Sequence, residues 1–172
     1  MNLLLERKDI MSSTLANDLR TQYDKVFATV RGILEAFPDD KWLVAHGDEY
    51  YIPSRIAYHI TEFIDGMLAG GFKDPGFRDK ARFGPWHTGT PETLPGRTAL
   101  LAYFDEVIDR AKNELAAIDD EKLMAPMPPE MARMGAIGMS AHFMALREIS
   151  AHTGEMNKML IENGKDDVWV SR

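Results

Sequence analysis

The chain has 172 residues, 45% hydrophobic and 27% charged, a balance typical of one soluble globular domain with its own core. Its net charge of -7 argues against nucleic acid and against an anionic membrane as the main partner, because both repel an acidic surface. The chain contains no cysteine, which excludes disulfides, thiolate metal sites and a cysteine nucleophile. This composition is consistent with a cytoplasmic protein, and we expect that location.

We interpret residues 1–11 as a disordered N-terminal extension and residues 12–172 as a single helical-bundle domain. In the extension an apolar stretch precedes the charged residues, whereas a signal peptide has its charge before a longer apolar region. Ser12, Ser13 and Thr14 follow, and these residue types are favoured caps at the N-terminus of a helix. No apolar run approaches the roughly 18 residues that a membrane-spanning helix needs.

Apolar side chains at three- and four-residue steps predict the first two helices. The first has one buried face and ends before Pro38; its stripe is Leu15, Leu19, Tyr23, Val26, Val30, Ile33 and Phe37. The second begins at Pro53, a residue favoured in the first helical turn, and ends at Gly70 and Gly71. Its stripe is Ile56, Ile60, Phe63 and Met67.

Residues 70–96 predict a long connection with little regular structure, since they hold six glycines and four prolines. Connections longer than about 12–15 residues are uncommon and are often functional. Phe83, Trp86 and His87 lie in this segment, and large aromatic side chains are costly to leave in water. We therefore expect them to pack at the mouth of a groove beside the second helix, or in a dimer interface.

A third helix begins near Arg97, and its unbroken three-four spacing is typical of a bundle seam. Pro126, Pro128 and Pro129 end that region, and a fourth helix is predicted from Ala136 to Gly164. No strand pattern is found. The sequence therefore predicts an all-α fold, a four-helix bundle with long crossover connections.

Three polar side chains border the apolar stripes of the second and fourth helices. Glu148 and His152 are four residues apart, so they lie one above the other on the same helix face. His59 lies beside the stripe of the second helix. Two histidines and one carboxylate with open coordination positions form a recurring site for catalytic zinc and non-haem iron. We therefore predict His59, Glu148 and His152 as ligands of one metal ion.

The same residues also have ordinary structural explanations, which the spacing does not exclude. His59 and His152 could be hydrogen-bonded core residues, and Glu148 could be a solvated carboxylate, because Glu-x-x-x-His occurs often by chance. Glu62 follows His59 by one turn, and Glu155 follows His152 by one turn. Each is a candidate to accept the second ring N–H of a ligating histidine or to act in catalysis, or else a solvated carboxylate.

The remaining histidines and the methionines are not predicted to bind the metal ion. His142 is predicted to be a core histidine, because it is too far along the helix to share a metal ion with His152. His46 is predicted to lie on the surface, and His87 in a loop over the groove.

Six methionines fall between Met124 and Met144. With Ala141 and Ala145 they would form one wall of the metal pocket, since methionine lines adaptable cavities; the alternative is simple core filling.

Over roughly residues 12–164 the chain resembles the DinB-like superfamily, which includes bacillithiol transferases and mycothiol-dependent maleylpyruvate isomerases. The resemblance rests on three segments: "FPDDKW", "IPSRIAYHITEFIDGML" with His59, and "LREISAHTGEMNKMLIENG" with His152. In the family, one histidine of the second helix and a His-x-x-x-His pair of the last helix bind one divalent metal ion. Glu148 replaces the middle histidine here, as in the mycothiol-dependent isomerases, and Thr153 and Glu155 replace the usual arginine and glutamine.

The resemblance implies a divalent metal ion, with zinc expected first and nickel, iron or manganese as alternatives. It also implies a small-molecule substrate, a homodimer, and a low-molecular-weight thiol that is activated for transfer or isomerisation. Two other functions stay open at this point. One is a metal-dependent hydrolase with Glu62 or Glu155 as base, and the other is a non-catalytic bundle that binds a metal ion or an apolar ligand.

Overall fold

The computed structural model describes residues 3–169, and the side chains of 15–129 and 131–169. Its helices are α1 (Leu3–Ala36), α2 (Pro53–Met67), α3 (Arg97–Ala116), the short α4 (Asp120–Met124) and α5 (Gly138–Glu162). The described residues contain two isolated β-bridges but no sheet. The predicted all-α fold with four main helices is therefore confirmed. None of the described helices is both long enough and apolar enough to cross a membrane.

Two boundaries differ from the sequence expectation. The region after Arg97 is not one helix, because α3 ends at Ala116 and Asp119 then starts a new one by accepting a hydrogen bond from the Lys122 amide. An aspartate at this position satisfies an amide that has no partner inside the helix. The helical span of α1 begins at Leu3, before the predicted caps. The interpretation of residues 1–11 as an extension stays a prediction, and residues 1 and 2 lie outside the described part.

Each of the long helices packs on two others. α1 contacts α3 and α5, and α2 contacts the same two helices, so α1 and α2 lie diagonally although they are consecutive in the chain. This diagonal step is why the order is not a simple up-down-up-down bundle. The face of α2 that carries Ile56, Ile60 and Ile64 is fully buried in the shared core. The helix pair α2 and α5, which carries the predicted ligands, is thus in direct contact.

The two connections around α2 are held by specific hydrogen bonds. The Trp42 indole N–H and the Ser54 hydroxyl both donate to the Pro95 carbonyl, at 2.9 and 2.7 Å. The Tyr58 hydroxyl lies 2.9 Å from the Gly84 carbonyl and accepts from the Phe83 amide at 3.0 Å. These bonds fasten the glycine- and proline-rich connection across α2. That connection is not featureless, since it includes the short 3₁₀ turns Gly71–Lys73, Phe77–Lys80 and Trp86–Thr88.

A buried carboxylate joins α2 to α3. Asp65 is nearly inaccessible and accepts two hydrogen bonds from the Arg110 guanidinium, at 2.8 and 3.0 Å. The Tyr103 hydroxyl donates a third bond to it at 2.6 Å. A buried carboxylate needs such partners because it has lost its hydration shell. This network fixes the position of α2 on the side away from α5.

Candidate metal centre

The three predicted ligands come together at the contact between α2 and α5. Nε2 of His59 lies 3.3 Å from Oε1 of Glu148, and Nε2 of His152 lies 3.3 Å from the same oxygen. The three ligand atoms all lie within 4.8 Å of one another. All three side chains are partly shielded from solvent. His59, Glu148 and His152 therefore form a group that could hold a metal ion.

The spacing of these atoms fits the size of a small divalent ion. Two tetrahedral ligands that are each about 2.0–2.1 Å from zinc are themselves roughly 3.3–3.4 Å apart. Both nitrogen–oxygen pairs of the cluster have this separation, 3.3 Å. The donor set, two imidazoles and one carboxylate, is also one that zinc and iron accept. On distance and on ligand chemistry the cluster fits such an ion.

Glu155 fixes which nitrogen of His152 faces this cluster. Its Oε2 lies 2.7 Å from Nδ1 of His152, so a neutral His152 carries its proton on Nδ1 and donates it to Glu155. The lone pair of Nε2 then points towards the Glu148 oxygen, which is also an acceptor. A metal ion bound by both atoms would lie between them. The one-turn spacing leaves Glu155 either as a partner of His152 or as a solvated carboxylate, and in this structure it contacts His152.

The electrostatic environment of His59 favours its neutral form. Burial lowers the pKa of His59 below its ordinary value, and the neighbouring His152 lowers it further, although the hydrogen bond to Glu148 acts in the opposite direction. A histidine must be neutral to bind a metal ion through nitrogen. The Trp86 ring packs against the imidazole, with ring centroids 4.1 Å apart at an interplanar angle of 38°. The indole therefore shields one face of His59 from water.

A pocket opens directly beside His59. Its volume is about 330 Å³, and its walls include Glu62, Phe63, Trp86 and His87. The prediction that Trp86 and His87 pack at the mouth of the His59 groove is thus confirmed. Phe83 lies deeper, where its ring packs edge-on against Tyr58 with centroids 5.5 Å apart. A small molecule in this pocket would contact the cluster through His59 alone, because Glu148 and His152 do not line the pocket, and it would also contact an aromatic wall.

Comparison with known families agrees with this architecture. The sequence profile of the DinB superfamily matches residues 22–160, most of the chain. The chain belongs to the DinB superfamily. The matched range includes all three residues of the metal cluster. No curated protein matches the chain.

Thr153 and Glu155, the two positions that the resemblance marks as departures from the family motif, have clear structural roles. Thr153 is buried, and its hydroxyl donates to the Ile149 carbonyl one turn earlier at 2.6 Å. Glu155 lies beside His152, as described above. The first substitution fills the helix interface, and the second places a negative charge next to the cluster.

Glu62 accepts a hydrogen bond from Tyr58 and not from the ring N–H of His59. The Tyr58 hydroxyl donates to Oε1 of Glu62 at 2.9 Å. Burial raises the pKa of Glu62 above its ordinary value, although this hydrogen bond acts in the opposite direction. Tyr58 was not singled out in the sequence, yet its four-residue spacing to Glu62 is the signal that could have revealed the pair. Glu62 is therefore a pocket residue with a raised proton affinity.

The methionine-rich segment does not form the wall that was predicted for the metal pocket. Ala145 is fully buried in the core between helices. Ala141, Met127 and Met131 line a separate cavity near Leu115, while Met134 and Met144 line a third one. The reason is the diagonal packing, which places the first turns of α5 beside the end of α2 and away from Trp86. The segment does line cavities, but not the pocket beside His59.

The other two histidines have structural partners. The Tyr23 hydroxyl hydrogen-bonds to Nδ1 of His142 at 3.1 Å, which agrees with the predicted core role. His46 is more shielded than a surface residue. Its Nε2 lies 3.0 Å from the Asn163 side-chain amide, and its Nδ1 lies 3.6 Å from Glu162. His46 therefore attaches the connection after α1 to the end of α5, far along that helix from the cluster.

Proposed function

We propose that the chain is a metal-dependent enzyme in which His59, Glu148 and His152 bind one divalent ion, with zinc the expected one. The observation that carries this proposal is the pair of 3.3 Å separations between the two imidazole nitrogens and one shared carboxylate oxygen. Three protein ligands are typical of a catalytic rather than a structural zinc site, because they leave a position for a reacting molecule. The adjoining pocket provides the space for it.

The proposed substrate is a low-molecular-weight thiol together with an electrophile, in a transfer or isomerisation reaction. When bound, a divalent ion supplies a Lewis acid that stabilises the thiolate form of a coordinating thiol. The chain has no cysteine of its own, so any reacting sulfur must come from a small molecule. The thiol itself is inferred from the resemblance to the bacillithiol- and mycothiol-dependent enzymes.

Three residues around the cluster and its pocket would assist such a reaction. Glu155 holds His152 in the tautomer that presents Nε2 to the cluster. Glu62 lines the pocket with a pKa raised by burial, so it is suited to accept the proton that a thiol loses. Trp86 covers one face of His59, and a site with less water strengthens every charge interaction within it.

Metal content tests the first part of the proposal. The chain, purified without added metal and without an affinity tag that binds metal, is analysed for zinc, nickel, iron and manganese. We expect about one equivalent of divalent metal per chain, or its uptake after dialysis against zinc. A chain that takes up no divalent ion in either experiment would rule out the metal site.

Thiol turnover tests the second part. A panel of small thiols is assayed with 1-chloro-2,4-dinitrobenzene, comparing wild type, His59→Ala and His46→Ala at equal folded concentration. We expect a metal-dependent rate that is lost in His59→Ala and kept in His46→Ala. Metal uptake without any rate above the His59→Ala background would instead support a non-catalytic metal-binding bundle.

Glu62 also favours a second candidate, a metal-dependent hydrolase. A carboxylate with a raised pKa in the same pocket could act as general base towards water rather than towards a thiol. The discriminating assay is hydrolysis of activated esters without thiol. A rate that requires metal and falls in Glu62→Gln would favour the hydrolase. The expected homodimer stays a prediction, and analytical ultracentrifugation tests it.

A further inference from the structure

A large cleft adjoins the His59 pocket. Its volume is about 910 Å³, and it lies between the C-terminal half of α2, the turn after it and the methionine-rich segment before α5. Its apolar surface comes from four methionines and two phenylalanines: Phe63, Met67, Phe72, Met131, Met134 and Met144. Methionine side chains are flexible and polarizable, so they adapt to apolar ligands of varied shape.

The polar rim of this cleft is positively charged, although the chain as a whole is acidic. Lys73, Arg78 and Arg133 line it, and no Asp or Glu does so among the side chains that the structure describes. Lys73 is already paired with Glu114 at 2.7 Å. Arg78 and Arg133 form no ion pair with another described side chain. In a chain of net charge -7, the described side chains thus place a net positive charge at one apolar cleft.

Arg78 is placed where it can bind an anion against an apolar surface. Its guanidinium lies over the Phe72 ring, 5.5 Å from the centroid. Phe72 is 45% exposed, so the stacked pair is accessible to a ligand from solvent. A guanidinium stacked on a ring keeps its N–H groups free, and their planar fork matches a carboxylate.

From these observations we propose that the cleft binds an organic carboxylate with an apolar body. The carboxylate would pair with Arg78 and Arg133, and the apolar body would lie on the methionines. Phe63, Phe72 and Arg78 line both this cleft and the pocket beside His59, so the two cavities adjoin. Binding of the anion needs no metal ion and does not rest on the proposed function. If the cleft does not bind a carboxylate, the proposed metal site is unaffected. If the metal site is wrong, the carboxylate proposal is unaffected.

The test is calorimetric titration of the full chain, kept metal-free with chelator, with decanoate below its micelle concentration. We expect saturable binding of one decanoate, and binding of decanol or decyltrimethylammonium at least about 10-fold weaker, since a tenfold change corresponds to loss of one charge-assisted contact. Arg78→Gln and Arg133→Gln should each weaken decanoate binding about 10-fold. The control Arg147→Gln removes the same charge at an exposed position outside the cleft, and it should change binding less than about twofold.

Methyl labelling of the methionines locates the bound decanoate. We expect shifts of the ε-methyl resonances of Met131, Met134 and Met144, and none for the exposed Met124, which is not part of the cleft. Equal affinity for decanoate and decanol would overturn the proposal, as would equal losses in Arg78→Gln and Arg147→Gln. Shifts of similar size at Met124 would also overturn it, because they would indicate detergent-like binding.

Discussion

Oε2 of Glu155 lies 2.7 Å from Nδ1 of His152, while Nε2 of the same ring lies 3.3 Å from Glu148. Glu155 thus orients the imidazole of His152, and the carboxylate of Glu148 lies 3.3 Å from both this imidazole and that of His59. Carboxylate groups placed behind a ligating histidine raise its basicity and fix its orientation, and their loss costs about 10–100-fold in metal affinity.

This relationship gives a prediction for Glu155→Gln. The amide keeps the shape and a hydrogen-bond acceptor but removes the negative charge, so zinc affinity should fall about 10-fold. The matched control is Glu62→Gln, because Glu62 bonds to Tyr58 and not to a predicted ligand. Competition with a chromophoric chelator measures both affinities. Equal affinities of the two variants would show that Glu155 does not support a ligand.

His152→Ala should remove most metal binding and the stability that depends on it. An ion that binds only the folded state, at 100 times its Kd, stabilises that state by about 2.7 kcal/mol. Wild type should therefore melt at a higher temperature with zinc than with chelator, and His152→Ala should show no such difference. His46→Ala serves as control and should keep the zinc-dependent difference, since its partners are at the end of α5. Equal metal content in His152→Ala and wild type would contradict the assignment.

Trp86 should report metal binding through its fluorescence. The indole lies against His59, with ring centroids 4.1 Å apart, so a paramagnetic divalent ion such as Ni²⁺ in the cluster would quench it. We expect saturable quenching by Ni²⁺ in wild type and its loss in Trp86→Phe. Trp169→Phe removes an exposed indole outside the pocket and should leave the quenching unchanged. Quenching that persists in Trp86→Phe would place the ion elsewhere.

Asp65→Asn should destabilise the fold without direct contact to the cluster. The change removes the charge that pairs with Arg110 and weakens the bond from Tyr103, both across the contact of α2 with α3. Arg110 is half-exposed, so the expected loss is moderate, about 1–3 kcal/mol in the free energy of unfolding. Asp105→Asn breaks a half-exposed pair with Arg31 and should cost less than about 1 kcal/mol. Urea denaturation measures the free energy of unfolding of both variants. Equal losses in Asp65→Asn and Asp105→Asn would contradict the role given to the Asp65 network.

His142 should make the stability of the metal-free chain depend on pH. Burial lowers the pKa of His142 below its ordinary value of 6.5, so the unfolded state takes up the proton first as the pH falls. The stability linked to this group is complete above pH 6.5 and is lost as the pH falls from there towards the lower folded-state pKa. The slope for one group is at most about 1.4 kcal/mol per pH unit.

In His142→Gln, which keeps an acceptor for the Tyr23 hydroxyl, this slope should decrease. His59 also has a lowered pKa, so part of the wild-type slope should remain. Both proteins are unfolded with urea in the presence of chelator at several pH values below 7. A slope that is the same in both would mean that His142 does not titrate differently on folding.

The sequence alone determined the elements that depend on local periodicity. The 3.6-residue repeat placed Glu148 above His152 and set His59 beside an apolar stripe, because side-chain direction along a helix follows from spacing. The same rule found Glu155 next to His152. Pro53 and Pro38 marked helix boundaries for a similarly local reason, since proline restricts its own backbone and the preceding residue. The end of α3 at Ala116 was not predicted, because the apolar stripe continues to Ile118.

Only the tertiary structure decided which local groups meet. That His59 lies 3.3 Å from Glu148 depends on α2 packing against α5, a contact between residues 89 positions apart that no spacing rule contains. The connection that carries Trp86 to His59 is held to α2 where the Phe83 amide donates to the Tyr58 hydroxyl, and the path of a loop depends on such individual bonds. The methionines were expected beside His59 but line the neighbouring cleft, because the diagonal arrangement of α1 and α2 sets where the start of α5 lies. Helix faces are local properties of the chain, whereas cavities form between elements and depend on how all of them pack.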